Sequence, residues 1–174
     1  MDEKNITTAD SEATKEAQEL LRELHCVAGK KIITGQHTQT IPCEEIAYIR
    51  QTTGKEPKLL GFELLGYSPN INYADASPEC LTEIEENKGT AEMALQWAIE
   101  QRKNGNGGIL TFPFHWFSPL GGRDKSFYTE HTDFDAREVL KEGTPEREAF
   151  YHDMDGIAEI LRRFQEERIP ILWR

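Results

Sequence analysis

Polar and aromatic side chains stand at the carboxyl ends of four short apolar segments, which the sequence predicts to be strands. The predicted strands cover residues 31–34, 59–64, 108–114 and 169–173. The groups at their ends are imidazole, carboxylate, indole and guanidinium: His37, Glu63, His115, Trp116, Trp173 and Arg174. Such groups can bind a polar ligand, and paired carboxylates can carry acid–base chemistry. Glu63 with Glu85 is an imaginable pair, but nothing in the spacing supports it.

Helical periodicity alternates with these strands and predicts four helices. They run over about 11–28, from Thr40-Ile41-Pro42 to Gly54, from about Thr90 to Asn104, and onward from Thr144-Pro145. Two long polar loops are predicted, over 67–87 and 117–143, and long loops in compact domains are often functional. In the last helix Asp153, Asp155 and Gly156 hint at a calcium loop. The apolar residues among them favour a solvated helix face instead.

The alternation of helix and strand predicts an α/β protein with a parallel sheet and helices outside it. A doubly wound open sheet and part of a (β/α)8 TIM barrel both fit this order. Polar groups and long loops at the carboxyl ends favour the barrel, and TGQHTQ lacks the GxGxxG of dinucleotide-binding folds. A full barrel needs about 250 residues and eight strands. We therefore expect a flexible N-terminus over residues 1–10 and, over 11–174, the first four βα units of a half barrel.

Several candidate residues also have a structural interpretation. His115 can be a hydrogen-bonded core histidine, although its place at a strand end beside Trp116 favours a site. For His37, loop hydrogen bonding and substrate contact fit equally well. Trp173 can point into the barrel or toward a cleft. Trp97 is spaced with Met93 along a helix, which favours core packing.

Composition excludes several classes of function. The 174 residues hold 20 Lys+Arg against 31 Asp+Glu, for a net charge of −11. That charge argues against nucleic acid and anionic membrane surfaces as partners, and no apolar run approaches the roughly 18 residues of a membrane span. The 3 cysteines lack the spacing of a metal site, so no metal is expected. The N-terminus lacks the pattern of an export signal, which leaves an intracellular protein or a signal outside this sequence.

Five segments, in order and in spacing, resemble glycoside hydrolase family 26, the β-mannanase family. Their sequences are GKKIITGQH (29–37), TTGKEPKLLGFELLGYSP (52–69), GGILTFPFHWFSPLGG (107–122), FYTEHTDFD (127–135) and DMDGIAEILRRFQEERIPILWR (153–174). GQH or GFE alone would be a weak signal. The ordered set, with FHW and the terminal LWR, is specific and covers nearly all of the chain after about residue 17.

The resemblance implies a retaining (β/α)8 glycosidase that cuts β-mannan or a related β-linked polysaccharide internally. Such a reaction uses no cofactor and needs two carboxylates about 5–5.5 Å apart. The resemblance puts the acid/base glutamate just after the ILWR strand and the nucleophile on a later strand. Both are therefore expected beyond Arg174, and the chain alone is expected to be inactive. The resemblance also implies an extracellular location.

Within the chain, the resemblance assigns residues to substrate binding. His115 corresponds to a histidine beside the sugar at the cleavage point, and Trp116 to an aromatic residue of the cleft. Arg174 corresponds to the arginine before the acid/base segment, which can orient carboxylates. Glu63 stands where the family usually has aspartate, which leaves its role open. The alternative is a non-catalytic half barrel that binds glycan weakly or self-associates through its exposed sheet edge.

Overall fold

Four parallel strands form one sheet in chain order. The structure, a computed structural model, describes residues 6–38, 43–122, 130 and 132–174. The strands are β1 (Gly35–His37), β2 (Leu59–Gly61), β3 (Ile109–Phe112) and β4 (Ile171–Trp173). Gly61 lies opposite both His37 and Thr111, and Phe112 lies opposite Trp173. The predicted α/β fold with a parallel sheet is confirmed.

The helices of the described residues begin and end at residues with suitable chemistry. They are α1 (Lys15–Val27), α2 (Glu44–Thr53), α3 (Pro78–Glu86), α4 (Thr90–Lys103) and α5 (Pro145–Glu166). Side-chain oxygens of Thr14, Ser77 and Thr144 accept backbone N–H bonds at the starts of α1, α3 and α5. Gly54 ends α2 at φ +69°, as predicted. None of these helices combines the length and apolar character that crossing a bilayer requires.

The first strand lies later than the sequence predicts, so the strand prediction over 31–34 is wrong. Leu59, where β2 begins, lies opposite Gly35. The hydrogen bonding to β2 starts where the Leu59 N–H donates to the Thr34 carbonyl at 3.1 Å. Residues before Thr34 therefore have no described strand beside them, and Ile32 is 93% exposed. His37 consequently belongs to the strand itself rather than to a loop after it.

Helix α3 lies inside the segment 67–87, which the sequence predicts to be a loop. Cys80 and Ile84 face inward from it and form a small second core with Leu65 and Phe117. The loop prediction is wrong here because a short apolar stripe stands among many acidic residues. Between 117 and 143 the described residues include a 3-10 turn at Glu138–Leu140. The predicted start of the second helix at residues 40–42 lies outside the described residues.

The main core lies between the sheet and the helices. Alternate residues of β2 and β3 face it, and Phe112 is fully buried. The Phe112 ring packs against Phe62, with centroids 6.0 Å apart, and against Phe164 of α5 at 5.4 Å. Trp97 of α4 belongs to the same core, as predicted. A Cβ atom at Gly108 would overlap the Trp97 indole, so glycine at this position allows the close packing.

Asp153 of α5 is buried, although the sequence predicts a solvated helix face. Its side chain is 1% exposed, and Asn70 Nδ2 donates to both carboxylate oxygens, at 3.1 and 2.9 Å. Burial is the main cause that raises the pKa of Asp153; His152 and Asn70 oppose it. The prediction is wrong because the segment after β2 covers this turn of the helix, a contact that helical periodicity cannot report.

Candidate substrate-binding site

A cavity of about 290 Å³ lies at the carboxyl ends of the four strands. One ionisable side chain reaches it from the end of each strand: His37 of β1, Glu63 after β2, His115 after β3 and Arg174 after β4. These residues alternate with the core residues along the strands, so they occupy the other face of the sheet. The structure therefore brings four of the six predicted site residues together.

Small residues in the strands make room for this cavity. Gly35, Gly61 and Thr111 line it below the ionisable side chains. A Cβ atom at Gly61 would lie 2.6 Å from His37 Nδ1, closer than real contacts allow. Glycine at this position thus lets the His37 ring lie over the neighbouring strand.

Glu63 is held by four hydrogen bonds. Its Oε1 atom accepts from the backbone N–H groups of Leu64 at 2.9 Å, Leu65 at 3.1 Å and His115 at 3.1 Å. Its Oε2 atom lies 2.6 Å from His115 Nδ1. The Glu63 side chain is 5% exposed, whereas that of His115 is 45% exposed. A buried carboxylate needs such compensation, because burial without partners costs several kcal/mol.

This arrangement leaves Glu63 largely enclosed by protein groups. Both of its oxygens already form hydrogen bonds with protein groups, and its side chain is only 5% exposed, so little of the carboxylate is accessible to a substrate. Glu85, the imagined partner, does not line the cavity and forms an ion pair with Lys88. The other carboxylate of the cavity wall is Glu83 of α3. Glu63 thus lies beneath His115 as a largely buried, hydrogen-bonded carboxylate.

His37 shares an electrostatic environment with the other three residues. Burial is the largest cause of change and lowers the pKa of His37. Glu63 raises it, while Arg174 and His115 lower it again. The neutral imidazole is therefore favoured, and it can both donate to and accept from a polar ligand.

Arg174 is positioned by the sheet. Its backbone N–H donates to the Phe112 carbonyl at 2.9 Å, which continues the β3–β4 ladder by one residue. That register directs the guanidinium to the cavity face, where its donors can bind hydroxyl or carboxylate oxygens.

The two tryptophans lie away from the cavity wall. Trp116 is half-buried and stacks on Phe114 with ring centroids 5.2 Å apart, and its Nε1 atom has no hydrogen-bond partner among the described residues. Trp173 is 48% exposed and lies on the helix-covered face, where its ring centroid is 6.5 Å from that of Phe114. Neither indole is among the groups that line the 290 Å³ cavity.

Two cavity residues escape sequence reasoning. Glu83 and Asn87 come from α3 and the residue that ends it, in the segment predicted to be a loop. Asn87 is 1% exposed; its Nδ2 donates to the Glu83 carbonyl at 2.8 Å, while Oδ1 has no described partner. The Ser77-Pro78 pair, a typical helix start, is the signal that could have found α3.

A larger hollow of about 750 Å³ lies at the opposite, amino ends of the strands. Three of its polar residues interact with one another: Arg50 forms an ion pair with Glu56, and the Gln101 amide donates to Glu56 at 2.7 Å. Lys58 pairs with Glu23 at 3.3 Å. Polar groups that are already paired within the protein contribute to its stability. In parallel α/β folds, moreover, the amino ends of the strands rarely carry the catalytic or ligand-binding residues. The smaller cavity is the better candidate site.

A parallel α/β sheet with a polar cavity at its carboxyl ends defines a class of proteins that bind small polar ligands there. The sequence profile of glycosyl hydrolase family 26 matches residues 9–174. The chain therefore belongs to glycosyl hydrolase family 26.

Relatives with known names agree with this family. A mannan endo-1,4-beta-mannosidase of Thermothelomyces thermophilus is 31% identical, over 98% of this chain and 33% of its own length. Mannan endo-1,4-beta-mannosidase A of Piromyces sp. is 28% identical, over 98% of this chain and 27% of its length. The chain thus spans about a third of the curated relatives that it matches.

Solved structures show the same fold. A ruminal GH26 endo-beta-1,4-mannanase superposes with a TM-score of 0.73 and 30% identity, covering 100% of this chain and 36% of its own. The Podospora anserina GH26-CBM35 beta-(1,4)-mannanase superposes with a TM-score of 0.74 and 30% identity, and the match covers 98% of this chain and 36% of that chain. A beta-mannanase from a symbiotic protist of the termite Reticulitermes speratus, complexed with gluco-manno-oligosaccharide, superposes with a TM-score of 0.69 and 25% identity. The match covers 92% of this chain and 48% of that chain.

Proposed function

We propose that this chain forms one wall of the substrate cleft of a retaining endo-β-mannanase, as the first four βα units of a (β/α)8 barrel. One observation carries the proposal. In a member of glycosyl hydrolase family 26, four strands each direct one ionisable group into a single cavity at their carboxyl ends. Active sites of barrel enzymes lie at that end.

The substrate of this proposal is β-mannan or a related β-linked polysaccharide. Sugar hydroxyls both donate and accept hydrogen bonds, so they match a wall of His37, His115 and Arg174. Trp116 does not line this cavity, and it is proposed to offer an apolar surface for the CH groups of a pyranose ring in another part of the cleft. The names of the relatives, and the gluco-manno-oligosaccharide bound to the protist enzyme, support this substrate class.

The catalytic carboxylates are proposed to lie beyond Arg174. The retaining mechanism needs one carboxylic acid and one carboxylate about 5–5.5 Å apart, which act through a covalent glycosyl-enzyme without a cofactor. Glu63 is largely buried and hydrogen-bonded at both oxygens, so neither role is assigned to it. Arg174 would then orient the acid/base segment that follows it. An extracellular location is part of the same proposal.

Binding of β-1,4-linked mannotetraose to the chain, measured by titration calorimetry, tests the cleft. His115→Ala removes hydrogen bonds to the sugar and should weaken binding about tenfold or more. His25→Ala is a matched control, because His25 lies in the last turn of α1 and does not line the cavity. If the His115→Ala variant binds mannotetraose as tightly as the wild type does, the proposed site is contradicted.

Hydrolysis tests the placement of the catalytic groups. The purified chain is expected to release no reducing sugar from β-mannan, because neither catalytic carboxylate is expected within it. Measurable release that persists in the Glu63→Gln and Glu83→Gln variants would place other carboxylates of this chain in catalysis, and release lost in either variant would implicate that residue. Either result would overturn the proposal that both catalytic carboxylates lie beyond Arg174.

The edges of the sheet favour a second candidate function, a non-catalytic half barrel that self-associates. Among the described residues, β1 and β4 each pair with one strand only. Ile32 is 93% exposed beside the first edge, and Trp173 is 48% exposed on the last strand. Open edges with apolar side chains invite pairing with a second copy. Sedimentation equilibrium at micromolar concentration tests this: a dimer supports it, and a monomer excludes it.

A further inference from the structure

We propose that Glu63 is a positioning residue, which sets the tautomer of His115 so that Nε2 accepts a hydrogen bond from a sugar hydroxyl. This inference rests on the proposed function for its ligand. The Glu63–His115 pairing itself rests only on the geometry of the two side chains.

The Glu63 carboxylate has little freedom to move. Three backbone N–H groups converge on Oε1 at 2.9 to 3.1 Å, two from the residues that directly follow it and one from His115 itself. The Glu63 carbonyl in turn accepts from Thr90 Oγ1 at 2.6 Å, which connects this turn to the start of α4. A group supported from both sides can impose an orientation on its neighbour.

The neighbour of Oε2 is the Nδ1 atom of His115, at 2.6 Å. Oε1 accepts three N–H bonds, and a glutamate carboxylate presents acceptor sites on both of its oxygens. The proton of this hydrogen bond must then be on Nδ1. In a neutral imidazole with Nδ1 protonated, Nε2 carries a lone pair and accepts.

The exposed part of the His115 ring is the part that a ligand can reach. The side chain is 45% exposed and lines the cavity, whereas Glu63 beneath it is 5% exposed. An acceptor at this position selects a hydroxyl that donates. The Arg174 guanidinium contributes only hydrogen-bond donors to the same cavity. His115 would therefore select a sugar hydroxyl that donates, and Arg174 one that accepts.

The isosteric variant Glu63→Gln inverts this arrangement. The three N–H groups keep the amide oxygen on their side, so the amide NH₂ group faces Nδ1 and becomes a donor. Nδ1 must then accept, and the proton moves to Nε2. A hydroxyl that donated to Nε2 loses its acceptor, and we expect affinity for mannotetraose to fall about tenfold.

The experiment combines two readouts on the whole chain. Imidazole ¹⁵N spectra, recorded where the ring is neutral and assigned with His115→Gln, report the tautomer without any ligand. Wild type should show a protonated Nδ1, and Glu63→Gln a protonated Nε2. Asp153→Asn is the matched control: it neutralises another buried carboxylate away from the cavity and should change neither the His115 spectrum nor the affinity.

The outcomes distinguish the inference from the proposed function. A protonated Nε2 in wild type overturns the inference, even if Glu63→Gln does not fold. An unchanged affinity in a folded Glu63→Gln whose tautomer has switched also overturns it. If wild type shows protonated Nδ1 but binds no mannotetraose, the positioning of His115 stands and the proposed function fails.

Discussion

The two faces of the four-stranded sheet are made from the same strands but hold opposite kinds of residue. On the helix-covered face, Leu60, Phe62 and Phe112 are no more than 1% exposed and pack against α4 and α5. On the other face, Gly61 and Thr111 leave open the cavity into which Glu63 and its neighbours project. A strand alternates its side chains with period two, so one segment can serve both purposes.

The difference assigns stability to one face and binding to the other. Burial of apolar rings is the main source of folding free energy. Buried polar groups cost free energy unless each has a partner, and Glu63 meets this condition with four hydrogen bonds. The cavity face can therefore carry chemistry only because the other face supplies the stability.

The largest expected effect compares neighbouring residues of β3. Phe112→Ala removes a fully buried ring and should lower the free energy of unfolding by about 3–5 kcal/mol. Thr111→Ala, on the cavity face, removes one hydrogen bond to the Leu172 carbonyl and should cost about 1 kcal/mol. Urea unfolding measures both. Equal losses of unfolding free energy in the two variants would contradict the claim that the helix-covered face supplies most of the stability.

A second test sharpens the contrast between two buried carboxylates. Glu63 has four donors, whereas Asp153 depends mainly on the Asn70 amide, and burial raises the pKa of Asp153 above 3.8. A raised pKa means that the folded state holds the proton more tightly than the unfolded state. The contribution of Asp153 to stability is therefore greatest at low pH and falls as pH rises through 3.8 toward the folded pKa.

Asp153→Asn should remove that pH dependence. Unfolding curves of both proteins between about pH 3 and pH 7 give the difference, which cancels the other titrating groups. The variant should gain stability relative to wild type as pH rises. A difference that stays constant with pH would contradict the burial of an ionised Asp153.

The smallest expected effect concerns His37 on the cavity face. Its pKa is lowered from 6.5, chiefly by burial, so the folded state disfavours the imidazolium. Its contribution to stability is therefore complete above pH 6.5 and is lost as pH falls through 6.5 and the folded pKa. His37→Gln should flatten this dependence only slightly in unfolding curves between about pH 5 and pH 8, because the ring is only partly buried and solvent screens its charge. If the variant loses more stability than the wild type as pH falls, the lowered pKa of His37 is contradicted.

Local signals explain how much of the fold was predictable. The Thr144-Pro145 start of α5, the Gly54 end of α2 and the stripe of α4 were readable, because caps and periodicity act between near neighbours in sequence. The first strand was predicted too early in the chain, and α3 was missed. Whether a short segment is a strand depends on what lies beside it, and Ile32 has no described strand there.

For the site, residue types and their order along the chain indicate which chemistry-bearing residues stand at the strand ends, since a parallel sheet puts all carboxyl ends together. It also carried the ordered motifs of the family. Which of those residues lie in contact depends on the folded arrangement of the strands. Glu63 and His115 pair across 52 residues of chain, and Trp173 turns to the other face, because distance in space is set by strand register and not by order along the chain.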